Sequence, residues 1–272
     1  MGFFKKLFEK KECSICGGEI GLLGNRKLED GNCCKSCAGK LSTWFDDRRH
    51  STVEQIKAQL AYREENRVAL NTFRPTLSFG DYFTLRVELD QGVPSRFVVE
   101  RDNYMEENAD LISFRDVTSF EIDIDEYKRE LKCKNSEGEE VSYNPPRYEY
   151  NYDFFGKLYV NSPYFDDIRF RMNSETVILE TVSSRGLLIK TFNPELYPEY
   201  REQKKVCDDL EELFKAGMQG LSLDGYAPAT SVEQTAEAAP VEPVATAGPK
   251  FCPGCGAAAN GGKFCEFCGT KF

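Results

Sequence analysis

Histidine is nearly absent from this 272-residue chain: His50 is the only one. A histidine-built metal or catalytic centre is therefore excluded, except with His50 as a single member. Its setting, Asp46-Asp47-Arg48-Arg49-His50, places it at the surface or flanking a helix N-terminus. Long apolar runs are missing too, and none approaches the roughly 18–20 residues that cross a bilayer. The opening Met1–Lys11 is basic and amphipathic, without the apolar stretch and cleavage site of a signal peptide. It reads as a short first helix or a tail packed on the next module, with weak peripheral membrane contact as the sharper alternative. There is no phosphate-binding glycine loop, no serine nucleophile elbow and no kinase signature.

Positive charge is also in deficit. Thirty-five Lys and Arg face 45 Asp and Glu, a formal net charge of −10. Residues 1–50 carry +3 and residues 250–272 carry +2, so residues 51–249 hold −15. A surface built for nucleic acid has little support in that balance. The expected partner is a protein or peptide.

What the chain does have is cysteine, eleven in all, and without an export signal these read as reduced cytoplasmic thiols used for metal. The first set is Cys13-Ser-Ile-Cys16, seventeen residues, then Cys34-Lys-Ser-Cys37. Two intervening residues let both sulfurs of one tight turn face one ion, and the second turn completes a tetrahedron. Gly17 and Gly18 allow the sharp turn after the first pair. Cys33 adjoins Cys34, and a Cys33-x3-Cys37 pair is the competing assignment. The second set repeats one form twice: an aromatic residue, Cys-x2-Cys, then glycine, giving Cys252, Cys255, Cys265 and Cys268. A 23-residue segment of this kind has no core of its own, so metal must supply most of its folding free energy. Two structural Zn²⁺ ions are therefore expected, each with a closed four-thiolate shell and no catalytic position. Cys133 and Cys207 are expected to be small buried hydrophobes.

Between the two sets the pattern is mixed. Ser51-Thr52-Val53-Glu54 has the form of a capping box opening a helix over 51–70, with Val53, Ile56 and Leu60 inward and Lys57, Arg63 and Glu64 solvated. From 71 to about 194 apolar residues recur at period two, as in Phe83, Leu85, Val87 and Leu89, with a return strand over Arg96–Glu100. Tyr127–Lys134 and Glu139–Tyr143 flank a hairpin turn at Asn135–Gly138. Thr176–Val182 is a last strand or a helical segment. The run Glu121–Glu126 alternates carboxylates with isoleucines and reads as one wet strand face, with a divalent-cation site as the minor alternative. The aromatic stretch Tyr143–Phe155 reads as an edge loop folded over a barrel, or as a peptide-binding surface. Pro198–Gly217 is helical, with Val206, Leu210, Leu213 and Phe214 on one stripe, and would cover an open barrel end. Residues 219–249, rich in Ala, Pro, Glu and Thr, form a disordered tether.

The fold class is thus α+β, mainly antiparallel β: an N-terminal four-cysteine module (1–50), a connecting helix (51–70), a β-rich domain with a C-terminal helix (71–218), the tether (219–249) and a zinc ribbon (250–272). Cys13-Ser-Ile-Cys16-Gly-Gly-Glu-Ile-Gly, Arg26–Gly31, Cys34-Lys-Ser-Cys37 and Arg48–Glu54 together resemble the bacterial zinc-finger family called domain of unknown function 4428, over roughly residues 12–62. That resemblance implies Cys13, Cys16, Cys34 and Cys37 as ligands and no cysteine at the position of Cys33. The C-terminus is similar to short bacterial zinc ribbons. The middle resembles a pleckstrin-homology-type barrel with a capping helix. None of these resemblances brings a reaction, and the expected role is non-enzymatic recognition in the cytoplasm, with nucleic-acid binding through the zinc modules or an enzyme site in the central domain as the alternatives.

Overall fold

Alternating burial builds most of this molecule. Along Thr84–Asp90 the side chains of Leu85 and Val87 are sealed while Thr84, Arg86 and Glu88 reach solvent, the signature of a sheet with one wet face. The computed structural model describes residues 11–21, 23–181 and 192–223, all within the unit Met1–Val232.

The N-terminal module holds two small ribbons, β1 (Lys11–Glu12) with β2 (Glu19–Ile20) and β3 (Arg26–Lys27) with β4 (Asn32–Cys33), then the single-turn helix α1 (Lys35–Ala38). The connecting helix α2 (Val53–Leu70) follows. Its capping box is formed by Thr52 and Gln55, one residue later than Ser51 and Glu54. Ser51 is diverted, because its hydroxyl donates to the Asp47 carbonyl at 2.8 Å. Asp30 meanwhile accepts from the Val53 amide at 2.7 Å and ties the helix start to the module.

The β-rich region forms two antiparallel sheets. One has the order β5 (Leu77–Phe79), β6 (Thr84–Asp90), β7 (Val93–Glu100), β8 (Ile112–Ser113), with a short helix α3 (Tyr104–Glu107) before β8. The β6–β7 turn takes Gln91 and Gly92 to φ of 50° and 83°, the two left-handed residues of a tight hairpin. The other sheet centres on β10 (Glu140–Val160), which pairs along one edge with β9 (Val117–Lys134). Its second edge carries β11 (Asp167–Arg171) and then β12 (Val177–Glu180). Between those two short strands Asn173 stands in for the ladder: its Oδ1 accepts from the Phe154 amide at 2.8 Å. Residues 143–155, expected as an edge loop, are instead part of this central strand, and only Tyr143–Pro146 bulge out of register. Alternating burial through Tyr152, Phe154 and Leu158 outweighs the loop signal of Pro145 and Pro146.

A final helix α4 (Pro198–Gln219) ends at Gly220 in the left-handed conformation, φ 64°. It buries Tyr200, Cys207, Leu210, Leu213 and Phe214. The Phe214 ring meets Phe120 of β9 at 4.1 Å, Phe114 at 5.3 Å and Phe97 of β7 at 5.4 Å, so one side chain joins both sheets. The expected barrel is not closed among the described residues. Asp81 and Phe83 donate to Met172 and Arg171 carbonyls at 2.8 and 3.1 Å, joining the sheets at one corner. Elsewhere α4 packs on β7, β9 and the Phe114–Asp116 turn, so a helix does what strand pairing would do in a barrel. No helix among the described residues is long and apolar enough to cross a membrane.

Gly217 shows how tight this seam is. A Cβ built there would lie 2.2 Å from Cδ1 of Phe114, a ring only 1% exposed. Alanine favours a helix over glycine by about 1 kcal/mol. Overpacking a filled core costs about 1–3 kcal/mol and should win. Gly217→Ala is therefore expected to lower the urea midpoint with no change in slope.

Candidate metal centre

The first Cys-x2-Cys turn is closed by two backbone bonds. The Gly17 amide donates to the Cys13 carbonyl and the Cys13 amide to the Gly18 carbonyl, both at 2.8 Å. Gly17 sits at φ +72°, where a side chain would be strained. The second turn is the start of α1, where Cys34 is the N-cap and its sulfur accepts from the Cys37 amide at 3.3 Å. The Cys34 amide in turn donates to the Cys13 sulfur at 3.3 Å. The amide hydrogens aimed at the Cys13 sulfur favour its thiolate.

These two turns bring the sulfurs of Cys13, Cys16, Cys34 and Cys37 within 4.8 Å of one another. A tetrahedral zinc with Zn–S bonds of about 2.3 Å requires sulfurs about 3.8 Å apart. Cys16 and Cys34 stand at 3.9 Å. The donor set therefore fits a zinc ion in number, chemistry and spacing. Burial opposes ionisation of Cys13, but amide hydrogen bonds from Cys16, Cys34 and Ile15 outweigh it and lower the thiol to about 6. Burial, reinforced by its sulfur neighbours, pushes Cys37 upward.

Cys33 lies outside the cluster. Its side chain is fully buried and points to the Cys34 carbonyl at 3.5 Å, and burial pushes its thiol up to about 11. It belongs to the small core of Cys13, Ile20, Leu28, Cys37, Leu41 and Ile56. His50, 79% exposed, lies 2.9 Å from Asp47 in the turn before α2. Cys207 is buried as expected, whereas Cys133 is only half-buried, because its strand runs past the rest of its sheet. The set Cys252, Cys255, Cys265 and Cys268 lies outside the described residues, as do Met1–Lys10 and most of the 219–249 segment. The acidic run is spoken for in part. Arg169 stacks on Phe155 at 3.5 Å and donates to Asp123 and Asp125 at 3.0 and 2.9 Å.

The module is locked to the sheets by charge. Asp110, 2% exposed, accepts from Arg63 Nη1 and Ser42 Oγ at 2.7 Å each and from Tyr62 at 3.2 Å. Arg63 also donates to the Lys40 and Asn108 carbonyls. Burial pushes the Asp110 carboxyl up, and Arg63 pulls it down. One carboxylate thus holds the loop after Cys37, helix α2 and the segment before β8 together. Arg63, expected in solvent, is 4% exposed. The signal for it was available, since it recurs at helical spacing with Ile56, Gln59, Asn66 and Leu70 on the buried face of α2.

Residues 11–59 match the family described as Domain of unknown function (DUF4428). That match covers the whole thiol cluster and most of α2's first half. No curated protein and no solved structure matches the chain.

Proposed function

We propose that this chain is a non-enzymatic recognition protein of the cytoplasm, stapled by structural zinc and binding a protein or peptide partner. Cys13, Cys16, Cys34 and Cys37 hold one ion, and Cys252, Cys255, Cys265 and Cys268 hold a second in a tethered ribbon. The central region is of the pleckstrin-homology type, with a four-stranded sheet, a second sheet three strands wide and a C-terminal helix against both. The observation that carries the reading is the four-sulfur cluster, whose four thiolates would complete a tetrahedral shell around one zinc ion without a further ligand. Two further features support it. The buried Arg63–Asp110 pair is spent on docking the module, and the net charge of −10 disfavours a nucleic-acid surface. A tethered ribbon would raise its own concentration near a partner held by the central domain.

Cobalt substitution tests the structural role of the metal. Co²⁺ in the intact protein should give tetrahedral thiolate bands that stay unchanged when azide or imidazole is added. A ligand-dependent shift would reveal an open position and a catalytic metal instead.

A further inference from the structure

We propose that the chain self-associates through the outer edge of β9, pairing antiparallel with β9 of a second copy about a two-fold axis at Arg129. The β9–β10 hairpin outruns its sheet: β12 and β11 flank β10 only between Glu149 and Tyr159. Beyond them and the Thr181–Tyr148 bond, Leu131–Lys134 is half of a two-stranded ribbon, and along all of Glu126–Lys134 the outer edge of β9 has no strand among the described residues. A ribbon of two strands is marginal in water, and an open edge offers unpaired amides and carbonyls to another strand.

The identity of that other strand is written in the charges. Tyr148, Tyr150 and Tyr152 of β10 face Glu130, Lys128 and Glu126 in register, so these even-numbered residues share one face of β9. With Lys132 they read Glu126, Lys128, Glu130, Lys132, alternating in sign at every second position. Such a pattern is complementary to itself when reversed. A perpendicular two-fold axis at Arg129 sets Glu126 opposite Lys132 and Lys128 opposite Glu130, each twice. On the other face it sets Tyr127, 66% exposed, opposite Leu131. The self-opposed Arg129 is neutralised by its own Glu149, with Nη2 at 3.0 and 3.1 Å from the two carboxylate oxygens. Neighbouring registers do worse. Centring on Tyr127 leaves only the Glu126–Lys128 pairs on this face, and centring on Leu131 brings Lys128 against Lys134. A parallel in-register pairing would oppose like charges throughout.

Sedimentation equilibrium of the 272-residue, zinc-loaded chain tests this. A monomer–dimer equilibrium that weakens with salt is expected. Lys132→Glu places like charges at two positions and should raise the dimer dissociation constant roughly tenfold or more. The double variant Glu126→Lys with Lys132→Glu reverses the pairs and should recover dimerisation, while circular dichroism confirms that each variant is folded. A chain that stays monomeric at low salt overturns the proposal. So does a dimer indifferent to Lys132→Glu, or one that the double variant does not restore.

Discussion

Cys34→Ser will cost the N-terminal module its metal, and Cys33→Ala, one residue away, will not. Cys34 contributes a sulfur to the four-membered cluster and also caps α1, so its loss opens the coordination shell and frees the turn that carries Cys37. The apolar core of this module is a handful of side chains, two of which are Cys13 and Cys37 themselves. So small a core cannot offset chain entropy alone. Structural zinc supplies about 10–16 kcal/mol in isolated fingers of this chemistry. Loss of one thiolate should therefore melt the module while β5–β12 and α4, with their own core, stay folded. The only tryptophan reports on it. Trp44 lies in the loop after the cluster with its ring 6.0 Å from Phe83, so its emission should shift to the red in Cys34→Ser. Cys33→Ala should retain zinc and the native emission, because its buried thiol donates to the Cys34 carbonyl and is not one of the four clustered sulfurs. Retained zinc in Cys34→Ser together with loss in Cys33→Ala would reverse the assignment.

Arg63→Ala should be the most destabilising single change outside the cysteines. Above the pH at which Asp110 takes up a proton, it leaves that carboxylate charged, 2% exposed and held only by Ser42 and Tyr62. Stranding one member of a buried ion pair costs about 3–5 kcal/mol. The double variant Arg63→Met with Asp110→Leu removes both charges and should recover a large share of that loss in urea denaturation. The pH dependence has a definite sign. Burial already raises the Asp110 carboxyl, and without Arg63 nothing cationic opposes that rise. The folded variant then binds a proton that the unfolded chain, with an aspartate near 3.9, has released. Its stability is therefore greatest in acid and falls as pH climbs through the raised value, so the gap to wild type should be wider at pH 8 than at pH 5. An equal gap at both would remove buried charge as the cause.

The cluster was legible in the sequence because ligand spacing is local: two residues between thiols fix a turn wherever it occurs. The helices over 53–70 and 198–219 and the Asn135–Gly138 hairpin were readable for the same reason. What escaped was set by partners far along the chain. Arg63 looks like a solvated helix residue until Asp110, 47 positions later, is brought beside it. Residues 143–155 look like a loop until β9 on one edge and β11 and β12 on the other make them the middle of a sheet. The choice between Cys33 and Cys34 also needed coordinates, because both spacings are compatible with a turn and only the direction of each sulfur separates them.

The most direct test of the account is a zinc count on the intact protein purified without added chelator. Two four-thiolate sites predict about two zinc ions per chain, falling to about one when Cys252 and Cys255 are both replaced by serine. That remaining ion should leave with Cys34→Ser. An intact chain carrying one ion or none, or a remaining ion that survives loss of Cys34, would contradict it.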